Sequence, residues 1–284
     1  MSGLDDLPPL RETLAAHGLL AKKSFGQHFL LDLNVTRKIA RLAGPFAGDA
    51  VIEVGPGPGG LTRALLETDC SRVIAVEKDR RFIPLLEELS EASGGKLVVV
   101  EGDALEVDET ALLAEHAGGA TGHLVSNLPY NVGTPLLIKW LTGAWTPRSL
   151  TLMFQKEVAD RIAARPGQSA YGRLAVIAQA VAEARVVMDL PARAFTPPPK
   201  VASAVVRLDP KAERPAAEML SALEKVTAAA FGQRRKMLRS SLKAVGGEAL
   251  LERAGVDANA RAEVIDVAGF LRLAAALSEP AGGA

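Results

Sequence analysis

Glu53-Val54-Gly55-Pro56-Gly57-Pro58-Gly59-Gly60 closes an apolar run, Ala50–Val54, and opens a stretch with helical spacing. Gly55, Gly57 and Gly60 satisfy the G-x-G-x-x-G spacing of a nucleotide-binding strand-to-helix turn. Glu77 lies about 20 residues further on, at the end of the second apolar run, where such folds hold a ribose. On spacing alone a dinucleotide competes for this site. Two features argue against it. A pyrophosphate is cradled by backbone N–H groups, and Pro56 and Pro58 remove two of them. The third apolar run also ends in acids, with Asp103 following Val98-Val99-Val100-Glu101-Gly102. A ligand with a ribose, an adenine amine and a cationic amino-acid tail, but no phosphate, suits these residues better. Glu77 would accept the ribose hydroxyls, Asp103 the adenine amine, and the glycines would let backbone approach a methionine tail. The expected ligand is S-adenosylmethionine.

Outward from this turn the chain alternates short apolar runs with helical stretches. The runs are Ala50–Val54, Val73–Val76, Leu97–Val100, Leu124–Ser126 and Leu150–Phe154, and helices are expected to begin near Gly60, Asp79, Glu109 and Thr134. Strands apolar on both faces and separated by helices imply a parallel sheet covered on both sides. Arg185–Met188 and Ala202–Leu208, joined by a proline-rich loop, are expected to close the edge as a hairpin. On the amino-terminal side, Leu7–His17 and Leu33–Ala43 read as helices. After Pro210 the strand signal stops. Residues 216–277 are rich in Ala, Leu, Glu and Arg with helical periodicity, broken at Gly232, Gly246-Gly247 and Gly255. The fold class expected is α/β, a Rossmann-like methyltransferase sheet with a small all-helical carboxyl-terminal domain. Residues 1–209 would form the cofactor-binding catalytic domain and residues 210–284 the helical one.

The second chemical stretch is Asn127-Leu128-Pro129-Tyr130, at the end of the fourth run. An exocyclic amine such as adenine N6 carries two N–H donors, and its lone pair is delocalised into the ring. If the Asn127 side-chain oxygen and the Leu128 carbonyl accept those donors, the nitrogen moves toward tetrahedral geometry and its lone pair can attack a methyl group. Pro129 biases Leu128 toward an extended conformation, which keeps that carbonyl out of a helix. Tyr130 would stack on the base, as aromatic rings do for bases taken out of a duplex. The plainer alternative is a strand-to-helix turn with a packed tyrosine.

Composition bounds the partners. Across 284 residues Lys plus Arg equals Asp plus Glu at 33 each, so any nucleic-acid surface must come from local segregation of charge. The run Arg234, Arg235, Lys236, Arg239, Lys243 contains no acid and places several cations on one helical face. Beside a base-modifying site it becomes a candidate phosphate contact, with Arg234, Arg235, Lys236 and Arg239 as the RNA-binding residues. Lys22 and Lys23, and Lys156, Arg161, Arg165 and Arg173, could extend it. Phe195, on a stiff loop before three prolines, is a candidate second wall for the adenine pocket; a buried loop anchor is the alternative. The single cysteine, Cys70, excludes an internal disulfide and a cysteine-built metal site. No run of about 18 apolar residues exists to cross a membrane, and the first residues carry no basic-then-apolar leader pattern. A cytoplasmic protein with no membrane partner and no metal is expected. His17, His116 and His123 read as surface or strand-end residues, so no histidine stands out as a base.

Taken together, Phe25-Gly26-Gln27-His28-Phe29-Leu30, Glu53-Val54-Gly55-Pro56-Gly57, Asn127-Leu128-Pro129-Tyr130, Gln155-Lys156-Glu157-Val158, Tyr171-Gly172-Arg173-Leu174, the run Phe195 to Val205 and Phe231-Gly232-Gln233-Arg234-Arg235-Lys236 resemble the ribosomal RNA adenine N6-dimethyltransferases. The likeness is nearest to the bacterial group acting on small-subunit (16S) rRNA. It runs in order from about Lys22 to Leu242, which makes it far more specific than any one motif. It implies cofactor contacts at His28, Leu30, Gly55, Glu77, Asp103 and Asn127; the family often has Asn where this chain has His28, and either side chain can donate a hydrogen bond. It also implies a substrate: two adjacent adenosines near the 3′ end of 16S rRNA, each methylated twice, in the assembling small ribosomal subunit. A monomer is expected. Three rivals stay open at this point. They are the same chemistry on large-subunit rRNA, an assembly factor whose binding matters more than its methylation, and a nicotinamide-dependent enzyme.

Overall fold

A computed structural model describes residues 3–4, 7–19, 28–119 and 121–278. Residues 22–27, including Lys22, Lys23 and the first part of the Phe25–Leu30 motif, lie outside the described residues. Five strands fall where the apolar runs are: β2 (Ala50–Val54), β3 (Arg72–Glu77), β4 (Leu97–Glu101), β5 (Gly122–Asn127) and β6 (Leu150–Gln155). They pair in parallel, β4-β3-β2-β5-β6, and the sheet is completed by β9 (Ser203–Pro210) and β7 (Ala182–Leu190). β9 runs antiparallel to β6, with Leu152 opposite Val206. The expected edge hairpin is thus realised as two long neighbouring strands.

A separate two-stranded ribbon was not legible in the pattern. β1 (Phe29–Leu30) pairs antiparallel with β8 (Phe195–Thr196), Leu30 opposite Phe195. Two residues are too short to carry a period, so only a tertiary partner defines such a strand.

Every residue of β2 is buried, as a central parallel strand requires. Val51, Ile52, Val73, Ile74, Leu124 and Val125 are all at or below 1% exposure and form the middle of the core. Helix starts follow their capping residues. Asp32 accepts from Asn34 N at the head of α2 (Leu33–Ala43), and Asp108 accepts from Thr110 N and Ala111 N at the head of α5 (Glu109–Ala117). α3 (Gly60–Leu66) begins six residues after β2 ends, because Gly55, Gly57 and Gly59 take positive φ of 65°, 54° and 82° and turn the chain back sharply. Gly60 serves differently. A Cβ there would collide with the carbonyl oxygen of Leu30, so the glycine lets β1 lie against the start of α3.

The chain divides into two compact units. One comprises residues 1–139, 145–159 and 186–208; the other comprises 140–144, 160–185 and 209–284. The second takes in α8 (Arg173–Val181) together with α9 (Ala217–Gly232), α10 (Leu238–Ser241), α11 (Gly247–Ala254) and α12 (Val267–Ser278). Within it Phe231 stacks on Phe270 at 5.4 Å, and the Tyr171 hydroxyl donates to the Ile265 carbonyl at 2.9 Å. No helix among the described residues is long and apolar enough to cross a membrane.

Candidate active site

The order β4-β3-β2-β5-β6 makes β2 and β5 the strands at which the direction of chain winding reverses. A parallel sheet opens a crevice outside the carboxyl ends of its strands at that switch point. A cavity of about 540 Å³ lies there, lined from β2 by Glu53 and Gly55, from β3 by Glu77, and from the end of β5 by Asn127 and Tyr130. The two loops touch: a Cβ on Gly55 would stand 3.5 Å from the Pro129 ring, so the glycine turn packs directly under the Asn127–Tyr130 corner.

The glycine turn has no backbone donor left for a phosphate. Gly55 N donates to Val76 O at 2.9 Å, Gly57 N to Glu77 Oε2 at 3.0 Å and Gly59 N to Pro56 O at 3.0 Å. Residues 56 and 58 are prolines. All five positions from 55 to 59 are therefore engaged or lack an N–H, which leaves a phosphate only the N–H groups at the start of α3.

Glu77 has a second fixed contact, Oε1 accepting from Asp79 N at 2.8 Å. Each oxygen keeps a further lone pair, and the carboxyl stands on the cavity with 6% exposure. Burial raises its pKa, opposed by the N–H groups of Asp79 and Gly57. Glu53 is more extreme. It is 1% exposed, and Oε2 has no hydrogen-bond partner among the described residues. Burial pushes its pKa up to about 8; the Thr62 hydroxyl opposes this and the charge of Glu77 adds to it.

At the β5 corner the Ser126 hydroxyl donates to Val54 O and ties β5 to β2. The Pro129 carbonyl accepts from Val132 N and Gly133 N, both at 3.1 Å, and caps α6 (Gly133–Thr142). Among the described residues neither the Leu128 carbonyl nor the Asn127 side chain takes part in a hydrogen bond. The Tyr130 hydroxyl is 2.8 Å from Ser203 Oγ at the start of β9, and burial raises its pKa. His28 Nδ1 lies 2.7 Å from the Pro197 carbonyl. A carbonyl only accepts, so Nδ1 carries the proton and a neutral His28 offers the cavity an acceptor at Nε2. Its ring centroid is 6.0 Å from that of Tyr130.

The cavity thus gathers His28, Leu30, Gly55, Glu77, Asn127, Leu128 and Tyr130. Asp103 and Phe195 are placed elsewhere. Asp103 Oδ2 is 2.6 Å from Lys78 Nζ and Oδ1 accepts from Leu105 N at 3.0 Å; the lysine holds this carboxyl below its usual range, and Lys78 stands on the cavity where Asp103 was expected. Phe195 is 3% exposed and packs with Leu30, Met153 and Val205, because β8 must turn a side chain inward to hold β1. That is the loop-anchor placement and not a pocket wall. In the other unit Arg234 is engaged by Glu263 at 3.3 Å and by Ser169 O, whereas Arg235, Lys236 and Arg239 are exposed. Residue-level reasoning assigned no role to Glu53, Lys78 or Ser203. For Glu53 a signal existed, since a charged residue inside an apolar central strand needs an explanation.

The family model described as Ribosomal RNA adenine dimethylase matches residues 18–279. The chain belongs to the ribosomal RNA adenine dimethylase family. It is 74% identical over 271 residues to the Ribosomal RNA small subunit methyltransferase A of Phenylobacterium zucineum, covering 95% of this chain and 93% of that one. Among solved structures, a dimethyladenosine transferase from Plasmodium falciparum is similar at TM-score 0.72 and 26% identity, covering 87% of this chain and 96% of that one. The 23S rRNA methyltransferase ErmE is similar at TM-score 0.66 and 28% identity, covering 88% of this chain and all of the other, 100%. The glycine turn and the Asn-Leu-Pro-Tyr corner meet at the cavity between the ends of β2 and β5.

Proposed function

We propose that this chain transfers methyl groups from S-adenosylmethionine to adenine N6 in small-subunit (16S) rRNA, twice on each of two adjacent adenosines near the 3′ end. The observation that carries the reading is the pair of unengaged oxygens, the Asn127 side chain and the Leu128 carbonyl, on a cavity whose glycine turn has no donor for phosphate. The residues fit the cofactor. Glu77 keeps lone pairs for ribose hydroxyls, Glu53 leaves a buried acceptor beneath the turn, and positions 55–59 offer a phosphate no free N–H. When bound, the sulfonium supplies an activated methyl group, and no metal is required for its transfer.

The protein's part is orientation. Asn127 and the Leu128 carbonyl accept hydrogen bonds from the N6–H groups, which draws the nitrogen out of conjugation and aims its lone pair across the cavity; as the N–CH3 bond forms the S–CH3 bond breaks, and N6 then loses one proton to water. Tyr130 holds the base by stacking, its ring fixed by the hydroxyl contact with Ser203. His28 is fixed by Pro197 and borders the same space. A target base outside its stack is required, because Tyr130 can stack on it and the Asn127–Leu128 acceptors can reach N6 only when its face and edge are free.

We assign RNA contact to the carboxyl-terminal helices of the second unit, which takes in residues 140–144 and 160–185 besides the expected 210–284, through the exposed Arg235, Lys236 and Arg239, with Arg234 reaching RNA if it leaves Glu263. The name of the 74% identical relative supports the small subunit as the target. We place the reaction in the cytoplasm, on an assembling subunit, by a monomer. The test is incubation with labelled S-adenosylmethionine and either immature small or purified large ribosomal subunits, followed by nucleoside analysis. N6,N6-dimethyladenosine should appear only in the small-subunit RNA; label confined to large-subunit RNA would overturn the assignment.

A further inference from the structure

Glu53 is a charged residue type set in the middle of the most buried strand of the sheet. Its Cα lies opposite Ala75 of β3, and its carboxyl reaches the floor of the cavity beneath the glycine turn. Oε2 is sealed from solvent and unpartnered among the described residues. A carboxylate cannot persist in that setting without a cation or donors, because the desolvation of an unpaired buried charge is among the largest penalties a fold can carry. The charged neighbour that acts on it is Glu77, which repels. The other ionisable groups on the cavity are His28, Lys78, Asp79 and Tyr130. Lys78 is paired to Asp103, Asp79 to Arg81, and Tyr130 is neutral, so none of them neutralises Glu53.

We propose that uptake of S-adenosylmethionine displaces a proton from Glu53, so that the site holds a neutral acid when free and a carboxylate when the ligand's ammonium is bound. This rests on the function proposed above. The amino-acid tail brings the missing cation to the glycine turn. Its ammonium has three N–H donors for a carboxylate, whereas the sulfonium carries charge but no donor. In balance, the carboxyl O–H bond breaks, the proton goes to bulk buffer, and the ammonium keeps all its protons. Glu77 is less suited to the exchange, since its two oxygens already accept from Gly57 and Asp79 and its remaining lone pairs suit hydroxyls. The raised pKa of Glu53, about 8, puts the exchange in the neutral range.

Titration calorimetry of the full chain at one pH in buffers of different ionisation enthalpy counts the protons. With S-adenosylmethionine the expected release is close to one proton at pH 7, falling toward none above about pH 9, and affinity should strengthen by up to about tenfold per pH unit below pH 8. S-adenosylhomocysteine, which keeps the ammonium and lacks the sulfonium charge, should release the same; 5′-methylthioadenosine, which lacks the amino-acid tail, should release none. Glu53→Gln copies the shape of the neutral acid. It should bind without proton release and with affinity flat in pH, and weaker than the unchanged chain above pH 8. Difference infrared spectra give a second readout: a protonated-carboxyl stretch lost on binding and absent in Glu53→Gln. Binding of S-adenosylmethionine with no proton release, or the same release from Glu53→Gln, overturns the inference while the function stands. No binding of S-adenosylmethionine by the unchanged chain removes both.

Discussion

At the carboxyl ends of β2 and β5 the chain sets Glu53, with an unpartnered buried oxygen, and the unengaged Asn127 side chain on the cavity; at the amino ends of the same two strands it buries His123 in a packed cluster away from that cavity, where Nε2 also lacks a hydrogen bond among the described residues. His123 Nδ1 is 2.9 Å from Ser149 Oγ, Nε2 is 3.4 Å from Asp49 Oδ2, and the Phe46 ring meets the imidazole edge-on at 5.1 Å. Asp49 is held in turn by Thr121 at 2.5 Å and Arg148 at 3.2 Å. A Ser-His-Asp set has the residue types of a hydrolytic triad, yet Ser149 is 1% exposed and the set does not line the cavity. Both ends keep a buried polar atom without a hydrogen bond, and what separates them is the cavity: Glu53 and Asn127 line it, where a ligand can meet them, whereas His123 is enclosed by Ser149, Asp49 and Phe46.

The strongest way to break this contrast is Asn127→Ala. If the open oxygens do the chemistry, methylation should fall about 10²–10³-fold, equivalent to about 3–4 kcal/mol, with the melting temperature nearly unchanged. A single-turnover assay with small-subunit RNA measures it, and a loss under tenfold would make the open corner mere geometry.

Next in size is the stability of the free protein at alkaline pH. The folded-state pKa of Glu53, about 8, is raised above the ordinary value of 4.5. A carboxyl shifted this way favours folding below the unfolded pKa, and that advantage is lost as pH rises through the folded value. Glu53→Gln should therefore match the unchanged chain at pH 4.5 and exceed it by about 3 kcal/mol at pH 8 in denaturant unfolding. Equal midpoints at both pH values would mean that the buried carboxyl has a partner after all.

Gly60→Ala addresses how the cavity is enclosed. Its Cβ would run into the Leu30 carbonyl, a backbone atom that can move only by displacing β1. A loss of about 2 kcal/mol is expected, together with weaker cofactor binding. Gly232→Ala is the control, since a Cβ there meets nothing within 4 Å and should be neutral or slightly stabilising.

Ser203→Ala tests whether Tyr130 is positioned or merely present. Removing the hydroxyl contact at 2.8 Å should lower kcat by about fivefold, on the order of 1 kcal/mol, and leave S-adenosylmethionine affinity unchanged. Ser203→Thr should restore most of the rate; equal loss in both variants would point to β9 packing instead.

How much of this was readable beforehand depends on the reach of each signal. β2 to β6 were visible because a strand buried on both faces writes a continuous apolar run, and the glycine turn because positive φ selects its residues. β1 and β8 were not, since their cause is a partner far away in sequence, with Phe29 opposite Thr196 at one rung. Distance in sequence also hid Phe195, whose ring serves the β1–β8 ribbon, and Ser203, which acts through Tyr130, 73 residues away. Asp103 was read correctly as a strand-end acid, but no local pattern announces that Lys78 crosses from the neighbouring strand to take its Oδ2. His28 was read as a donor to the ligand; no local pattern announces that its Nδ1–H is directed to the Pro197 carbonyl.

The smallest effect comes from the end packed away from the cavity. Burial lowers the His123 pKa, with Asp49 opposing. For a histidine held neutral in this way the unfolded chain binds the proton more readily, so stability is complete above the unfolded value near 6.5 and declines as pH falls below it. That slope is opposite in sign to the one Glu53 produces. In His123→Gln the loss of melting temperature between pH 7 and pH 5 should be shallower than in the unchanged chain, while methylation at pH 7.5 stays within twofold. The change of slope is the informative quantity, because the substitution also alters packing against Phe46 and shifts both temperatures together. If His123→Gln instead lowered methylation as far as Asn127→Ala does, the triad-like cluster would be coupled to the chemistry, and a place on the cavity would no longer separate the working end of this sheet from its structural one.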